Sequence, residues 1–351
     1  MLVSVTKLPN STLQVKGVLP SEEFNAYITK AAKAFTDEVE LPGFRKGKAP
    51  EKLVLEKVGE GKILEEAARM ALNEFYPTLL KEHAPQAIGR PQIRITKLAR
   101  GNPLEFEADI AVLPEVDLAD YKGIATKKNA EPKEESVVSD EELQKTIDWL
   151  RKSRSSRKND TSKEQNASSV SENLPELTDE FAQSLGTYKT VEELKNAIRE
   201  NMKFEKEQKV KDKRRMELLE AISEASTMEL PDILVESEKD KMHSELKAGI
   251  EQMGMQWDVY LTHIKKKEEE LRNEWQTDAQ KRVRSALALR EIAKRESIEP
   301  TDDELNAWAY QYLARVDENE KKNLDLERVK DYAYDVIRNQ KVLEFLERLT
   351  A

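Results

Sequence analysis

The sequence predicts an α+β N-terminal domain, an antiparallel sheet with helices, followed by an all-α, elongated C-terminal domain of long helices. Three observations predict it. Apolar residues alternate with period two on either side of a helically spaced stretch within residues 1–112. Beyond residue 139 the apolar residues recur at helical spacing, broken only by polar linkers. Charged residues make up 36% and hydrophobic ones 38%, with a mean hydropathy of -0.73, which suits long helices with much of their surface in water. At 351 residues the chain exceeds one ordinary core, so two or three domains are expected.

In chain order, Leu2 to Leu8 alternates loosely and stops at Pro9-Asn10-Ser11. Leu13, Val15 and Gly17 then alternate to Leu19-Pro20, which together read as a β-hairpin. Ser21 is placed to cap a helix carrying Phe24, Ile28, Ala31 and Phe35, with Glu22 and Glu23 in its first turn. Further helices run to about Val58 and from about Lys62 to His83. Strands resume with Ile93, Ile95 and Lys97, and with Leu104, Phe106, Ala108, Ile110 and Val112 on one face of the next. Residues 113–136 read as loop. Three capping boxes follow, Ser139 with Glu142, Thr190 with Glu193 and Thr301 with Glu304, each opening a helix. The helix after Thr190 is hydrophilic all round at its middle, which fits an arm held away from the body. Everything after residue 139 is expected to be helix or linker.

The stretch Leu41 to Pro50, LPGFRKGKAP, lies between two predicted helices. Pro42 and Gly43 stop the first, and Pro50 suits the first position of the second because its missing N–H costs nothing there. The expected result is a short, stiff loop that pushes Phe44, Arg45 and Lys46 outward. An exposed Phe flanked by Arg and Lys suits a surface that offers an apolar pocket beside acidic groups or phosphates. For an arbitrary loop, a solvated turn with its Phe folded into the core would be the better reading.

GFRKGKAP, at this distance from the N-terminus and after this strand, strand and helix, resembles the signature loop of the trigger factor family of ribosome-associated bacterial chaperones. LPDILVESE, GMQWDVYL, EEELRNEWQTDAQKRVRSALALREIAKRE and SIEPTDDEL resemble successive segments of that family's C-terminal domain. The resemblance implies docking on the large ribosomal subunit, with Phe44, Arg45 and Lys46 contacting an exit-site protein and ribosomal RNA. Gly43, Gly47 and Pro50 would shape the loop. It implies a helical cradle that shelters unfolded nascent polypeptides on dispersed apolar patches, for which Met202, Met228, Met242, Met253, Met255, Trp257, Trp308 and Tyr310 are suitable. Each of these is more often core, so no single client contact is assigned.

The chain departs from the family at one place. Ser153 to Asn173, SRSSRKNDTSKEQNASSVSEN, occupies the position where the family carries an FKBP-type peptidyl-prolyl isomerase domain. These polar residues cannot bury enough to order themselves, and a folded domain needs at least about 50 residues. Isomerase activity is therefore not carried over.

The residues offer no pattern of catalytic chemistry. Cysteine is absent, which excludes disulfides and thiolate metal sites and fits a reducing cytoplasm. His83, His243 and His263 are scattered without metal-ligand spacing, and Gly59-Glu60-Gly61-Lys62 reads as a helix break rather than a phosphate-binding loop. The N-terminus lacks the basic and apolar regions of a secretory signal, and no run approaches the ~18 apolar residues of a membrane span. A net charge of -10 disfavours generic nucleic-acid binding, yet residues 1–112 carry 16 Lys and Arg against 15 Asp and Glu. An acidic body behind a cationic tip is the expected arrangement.

The domains are thus expected at 1–112 (ribosome binding), 113–152 (linker and joining helix), 153–173 (disordered linker) and 174–351 (client cradling). The expected protein is an ATP-independent cytoplasmic chaperone with no catalytic residues, cofactor, metal or membrane partner, and a weak homodimer is left open. A peptidyl-prolyl isomerase and a helical adaptor without chaperone activity remain the alternatives.

Overall fold

Alternation in the first and last strands of the N-terminal region builds one four-stranded sheet. In the computed structural model, which describes residues 1–38, 50–132, 136–159, 176–316, 321 and 324–350, Leu2–Leu8 (β1), Thr12–Leu19 (β2), Gln92–Lys97 (β3) and Leu104–Ala111 (β4) pair antiparallel in the order β1-β2-β4-β3. On β4, Leu104, Phe106, Ala108 and Ile110 are buried on one face. The opposite face is a lattice of opposite charges, with Lys16 2.7 Å and Arg94 3.3 Å from Glu107, and Lys97 3.3 Å from Glu105. Period two thus sorts this strand into a core face and a wet face. Gly17 sits opposite Phe106, and a Cβ there would overlap the aromatic ring.

Helices Ser21–Glu38 (α1), Glu51–Val58 (α2) and Glu60–His83 (α3) cover the buried face. Phe24, Tyr27, Ile28, Ala31 and Ala32 of α1 cluster with Ile63, Leu64, Ala67, Ala68 and Ala71 of α3. The alanines on both partners let the two helices approach closely. Gly59, at φ +86, breaks α2 from α3 in the left-handed region that glycine tolerates. Ser21 is the first helical residue rather than the cap. The Pro20 carbonyl accepts from the Phe24 N–H at 2.9 Å, so the helix starts one residue early.

Two compact units emerge from the residue contacts, one of residues 1–119 with 222–299 and one of 120–221 with 300–351. In the first unit, Asp232–Gln252 (α8), Trp257–Ile264 (α9), Glu268–Glu274 (α10) and Gln276–Arg295 (α11) enclose Ile250, Trp257 and Leu271. Charge seams line this packing, with Arg272 2.7 Å from Asp240 and Arg282 3.1 Å from Glu245. Among the described residues, the expectation of only helix and linker after residue 139 meets one exception. Thr227–Met228 (β6) pairs antiparallel with Val116–Asp117 (β5), strands too short to show alternation.

The second unit contains Tyr121–Asn129 (α4), Asp140–Asn159 (α5), Asp179–Leu185 (α6), most of Val191–Ala225 (α7), Asp302–Arg315 (α12) and Leu326–Glu347 (α13). The α4 helix corrects the loop reading of residues 113–136. Asp120 accepts from the Gly123 N–H at 3.0 Å to start it, and Tyr121 and Ala125 are buried. Its sequence of lysines, threonine and glycine leaves too few apolar positions to show a helical period. The forward bonds of all three capping boxes are present, Glu142, Glu193 and Glu304 N–H groups donating to Ser139, Thr190 and Thr301. Glu193 returns its bond to the Lys189 N–H instead of that of Thr190.

The middle of α7 does not stand apart from its unit. Lys206 reaches Glu142 at 2.7 Å, Arg199 reaches Asp140 at 2.6 Å, and the Thr146 hydroxyl lies 3.5 Å from the Met202 sulfur. Arg214 donates to the Lys128 carbonyl at 3.1 Å, and Arg215 pairs with Glu347. The charged middle of α7 is thus held by ion pairs, while Leu194, Leu218 and Ile222 towards its ends are buried.

Candidate functional site

The predicted recognition loop connects α1 to α2, two helices that belong to one core. The last described residue of α1 is Glu38, and the chain is next described at Pro50. Both ends are anchored by burial. Phe24, Tyr27, Ile28, Ala31 and Ala32 hold α1 against α3, with Phe35 packed on the same cluster. Val54, fully buried, holds α2. Burying a side chain the size of Phe24 contributes about 1.5–3 kcal/mol, so the two ends of the connection sit on a firm base.

Pro50 is exposed and precedes α2 by one residue. Its carbonyl accepts from the Leu53 and Val54 N–H groups at 3.0 and 3.3 Å, the role of a helix N-cap residue. The expected first helical position is therefore missed by a single residue. Gly43, Phe44, Arg45, Lys46 and Gly47 lie outside the described residues.

The side chains suited to apolar clients divide into three groups. Met228 and Trp257 are buried, and Trp257 stacks on Tyr260 with ring centroids 5.6 Å apart, so both serve their own core. Met202, Met242 and Trp308 are half-buried. Met253, Met255 and Tyr310 are exposed, Met253 and Tyr310 at 75%. Exposed apolar residues that the sequence reading did not single out include Trp149, Phe204, Met216 and Tyr332. Phe204 and Met216 lie in the charged stretch of α7, where single apolar residues among many charges carry no periodic signal. Tyr332 joins Trp308 and Tyr312 in an aromatic group. Trp308 stacks on Tyr312 at 5.2 Å, and Tyr332 lies tilted 5.7 Å from Trp308.

Of the three histidines, His243 meets Trp257 edge-on at 5.0 Å, with its Nε2 3.3 Å from Glu268. Among the described residues there is no group of three or more His, Asp or Glu placed to hold a metal, and no helix is long and apolar enough to cross a membrane.

The chain matches two models of one family. The model described as bacterial trigger factor protein matches residues 1–150, and the one described as bacterial trigger factor protein C-terminus matches residues 190–347. Trigger factor of Clostridium botulinum (strain Loch Maree / Type A3) is 26% identical over 422 residues, covering 99% of this chain and 98% of that protein. Trigger factor of Clostridium kluyveri is likewise 26% identical over 426 residues with the same coverage. An alignment of 422 positions against a chain of 351 residues leaves 71 or more positions that the relative fills and this chain does not. Residues 151–189 fall between the two family models. A solved structure reported under "Promiscuous Substrate Recognition in Folding and Assembly Activities of the Trigger Factor Chaperone" shares the fold at a TM-score of 0.55 and 17% identity, over 99% of both chains.

Proposed function

The chain belongs to the trigger factor family of ribosome-associated chaperones, and from that premise we propose that it docks at the polypeptide exit site through the α1–α2 connection and holds nascent chains there without ATP. The observation that carries this reading is the position of the motif. GFRKGK spans the connection between two helices that one buried core holds together, so the scaffold beneath it is rigid. In this proposal Phe44 enters an apolar pocket of an exit-site protein of the large subunit. Arg45 and Lys46 meet acidic groups or ribosomal RNA phosphates, and Gly43, Gly47 and Pro50 shape the loop. No cofactor, metal or membrane takes part.

Clients bind weakly on dispersed apolar side chains of the helical part, the exposed Met253, Met255 and Tyr310 among them. Tethering at the exit site raises the effective concentration of those patches around an emerging chain, so weak contacts suffice. Folding of the client buries its own apolar surface and releases it. The division of labour follows the sequence segments with one change, because α5 runs through Asn159, past the expected start of the linker at Ser153: 1–112 docks, 113–159 joins, 160–173 links and 174–351 holds clients, in the cytoplasm.

We further propose that the protein lacks peptidyl-prolyl isomerase activity. The 71 or more positions present in the relatives and missing here, together with the unmatched residues 151–189, support an isomerase domain replaced by a short polar linker. Suppression of aggregation of a denatured client, alongside salt-sensitive co-sedimentation with ribosomes, tests the chaperone reading. A helical adaptor would instead form stoichiometric complexes and leave aggregation unchanged.

A further inference from the structure

The polypeptide leaves the first unit after Ala119 and returns to it at Ile222, and the two ends are tied to each other. The Ala119 N–H donates to the Ser226 hydroxyl at 3.1 Å, and that hydroxyl donates to the Ile222 carbonyl at 2.7 Å. Ser226 is only 5% exposed, so each of its bonds is shielded from competing water. The next residues form β6, pairing Thr227 with Asp117 and Met228 with Val116.

Glu229 comes directly after. Its carboxylate accepts from the Ser11 N–H at 2.9 Å and from the Ser11 hydroxyl at 3.4 Å. Ser11 sits in the β1–β2 turn, where Asn10 and Ser11 hold left-handed φ values of 59 and 50. Such non-glycine backbone persists where its surroundings hold it. Here the Ser11 carbonyl accepts from the Val112 N–H at 2.9 Å while Glu229 holds its amide, so the turn is fixed from both sides. Ile233, in the first turn of α8, fills the space where Gly89 would carry a Cβ, and Gly89 holds φ +68.

We propose that Ser226 to Ile233 is a clasp that joins the α/β region and helices α8–α11 into one moving body. It ties them directly, beside the packing of α11 on β5 and the covalent path through residues 120–221. With it, whatever partner fixes the sheet also fixes the direction of α8. The inference rests on contacts within the first unit and holds whether or not that partner is a ribosome.

The chain has no cysteine, so spin labels can be placed on Thr6→Cys and Lys241→Cys, both exposed, in the full-length protein. The expected result is one narrow distance distribution that broadens in Glu229→Ala and broadens further when Ser226→Ala is added, with helical circular dichroism unchanged. Glu229→Gln keeps a carbonyl oxygen at the same place and keeps the distribution narrow. Hydrogen exchange supplies a second readout. The Ser11 amide should exchange about tenfold faster in Glu229→Ala, the loss expected for one bond to a charged acceptor. A broad distribution in the unsubstituted background, or an unchanged width and unchanged Ser11 exchange in Glu229→Ala, overturns the proposal.

Discussion

Lys206 Nζ lies 2.7 Å from Glu142 Oε2, and the same carboxylate oxygen accepts the Ser139 N–H at 3.0 Å. One side chain therefore closes the N-terminus of α5 and fastens that helix to α7. Lys206, followed by the Ser139 bond, holds the Glu142 carboxyl down from its ordinary value of 4.5 to about 2. A carboxyl held below its unfolded value stabilises the fold above that value and loses the effect as pH falls through the folded one. Its contribution to stability should be complete above about pH 4.5 and fall away as pH drops through about 2. Thermal unfolding followed by circular dichroism against pH should show a step in that window, smaller in Glu142→Gln. An identical step in the variant would place the acid sensitivity elsewhere.

A second prediction concerns the end of α13. The Asn129 amide donates to the carbonyls of Leu346 and Leu349 at 2.8 and 2.9 Å, satisfying groups that a helix end leaves open. Asn129→Ala should lower stability by about 1–2 kcal/mol. Asn129→Asp should cost more, because a carboxylate meets the negative end of the helix and can no longer donate. Urea unfolding of the three proteins checks the order.

At the sheet, Gly17→Ala places a methyl group into the Phe106 ring, and the ring is 4% exposed with little room to move. The expected loss is about 1–3 kcal/mol, the usual range for overfilling a packed core. Adding Phe106→Leu, which vacates the space, should recover part of it. Equal stability of Gly17→Ala and the unsubstituted protein would refute the close approach.

Where the chain's order was legible, the signal was local. The capping residues Ser139, Thr190 and Thr301 face glutamates three residues on, and β4 alternates cleanly because one face meets helices and the other meets water. The α4 helix escaped because its buried contacts are few, Tyr121 and Ala125 among lysines. The β5–β6 pair and the Ser11–Glu229 bond escaped for another reason. They join residues 218 apart in the second case, and no local pattern encodes such a partner. Charge misled in one place, where a polar surface on α7 suggested solvent and Lys206, Arg214 and Arg215 instead bind their own unit. Around the proposed recognition loop, the flanking helices and the near-terminal role of Pro50 were legible, because prolines and glycines punctuate helices locally.

The isomerase question has a direct assay. Turnover of a prolyl peptide by this protein should not exceed the uncatalysed rate, which is slow enough (tens to hundreds of seconds) for a modest catalyst to be seen. Acceleration that scales with protein concentration would show that the polar linker did not remove the activity.

Co-sedimentation with ribosomes, comparing the unsubstituted chain with the triple variant Phe44→Ala, Arg45→Ala and Lys46→Ala, tests the central claim most directly. The docking account predicts binding that weakens as salt rises, since its cationic part is screened. It also predicts loss of the variant from the ribosomal pellet while its helical circular dichroism stays unchanged. A folded variant that pellets with ribosomes as well as the unsubstituted chain would contradict it.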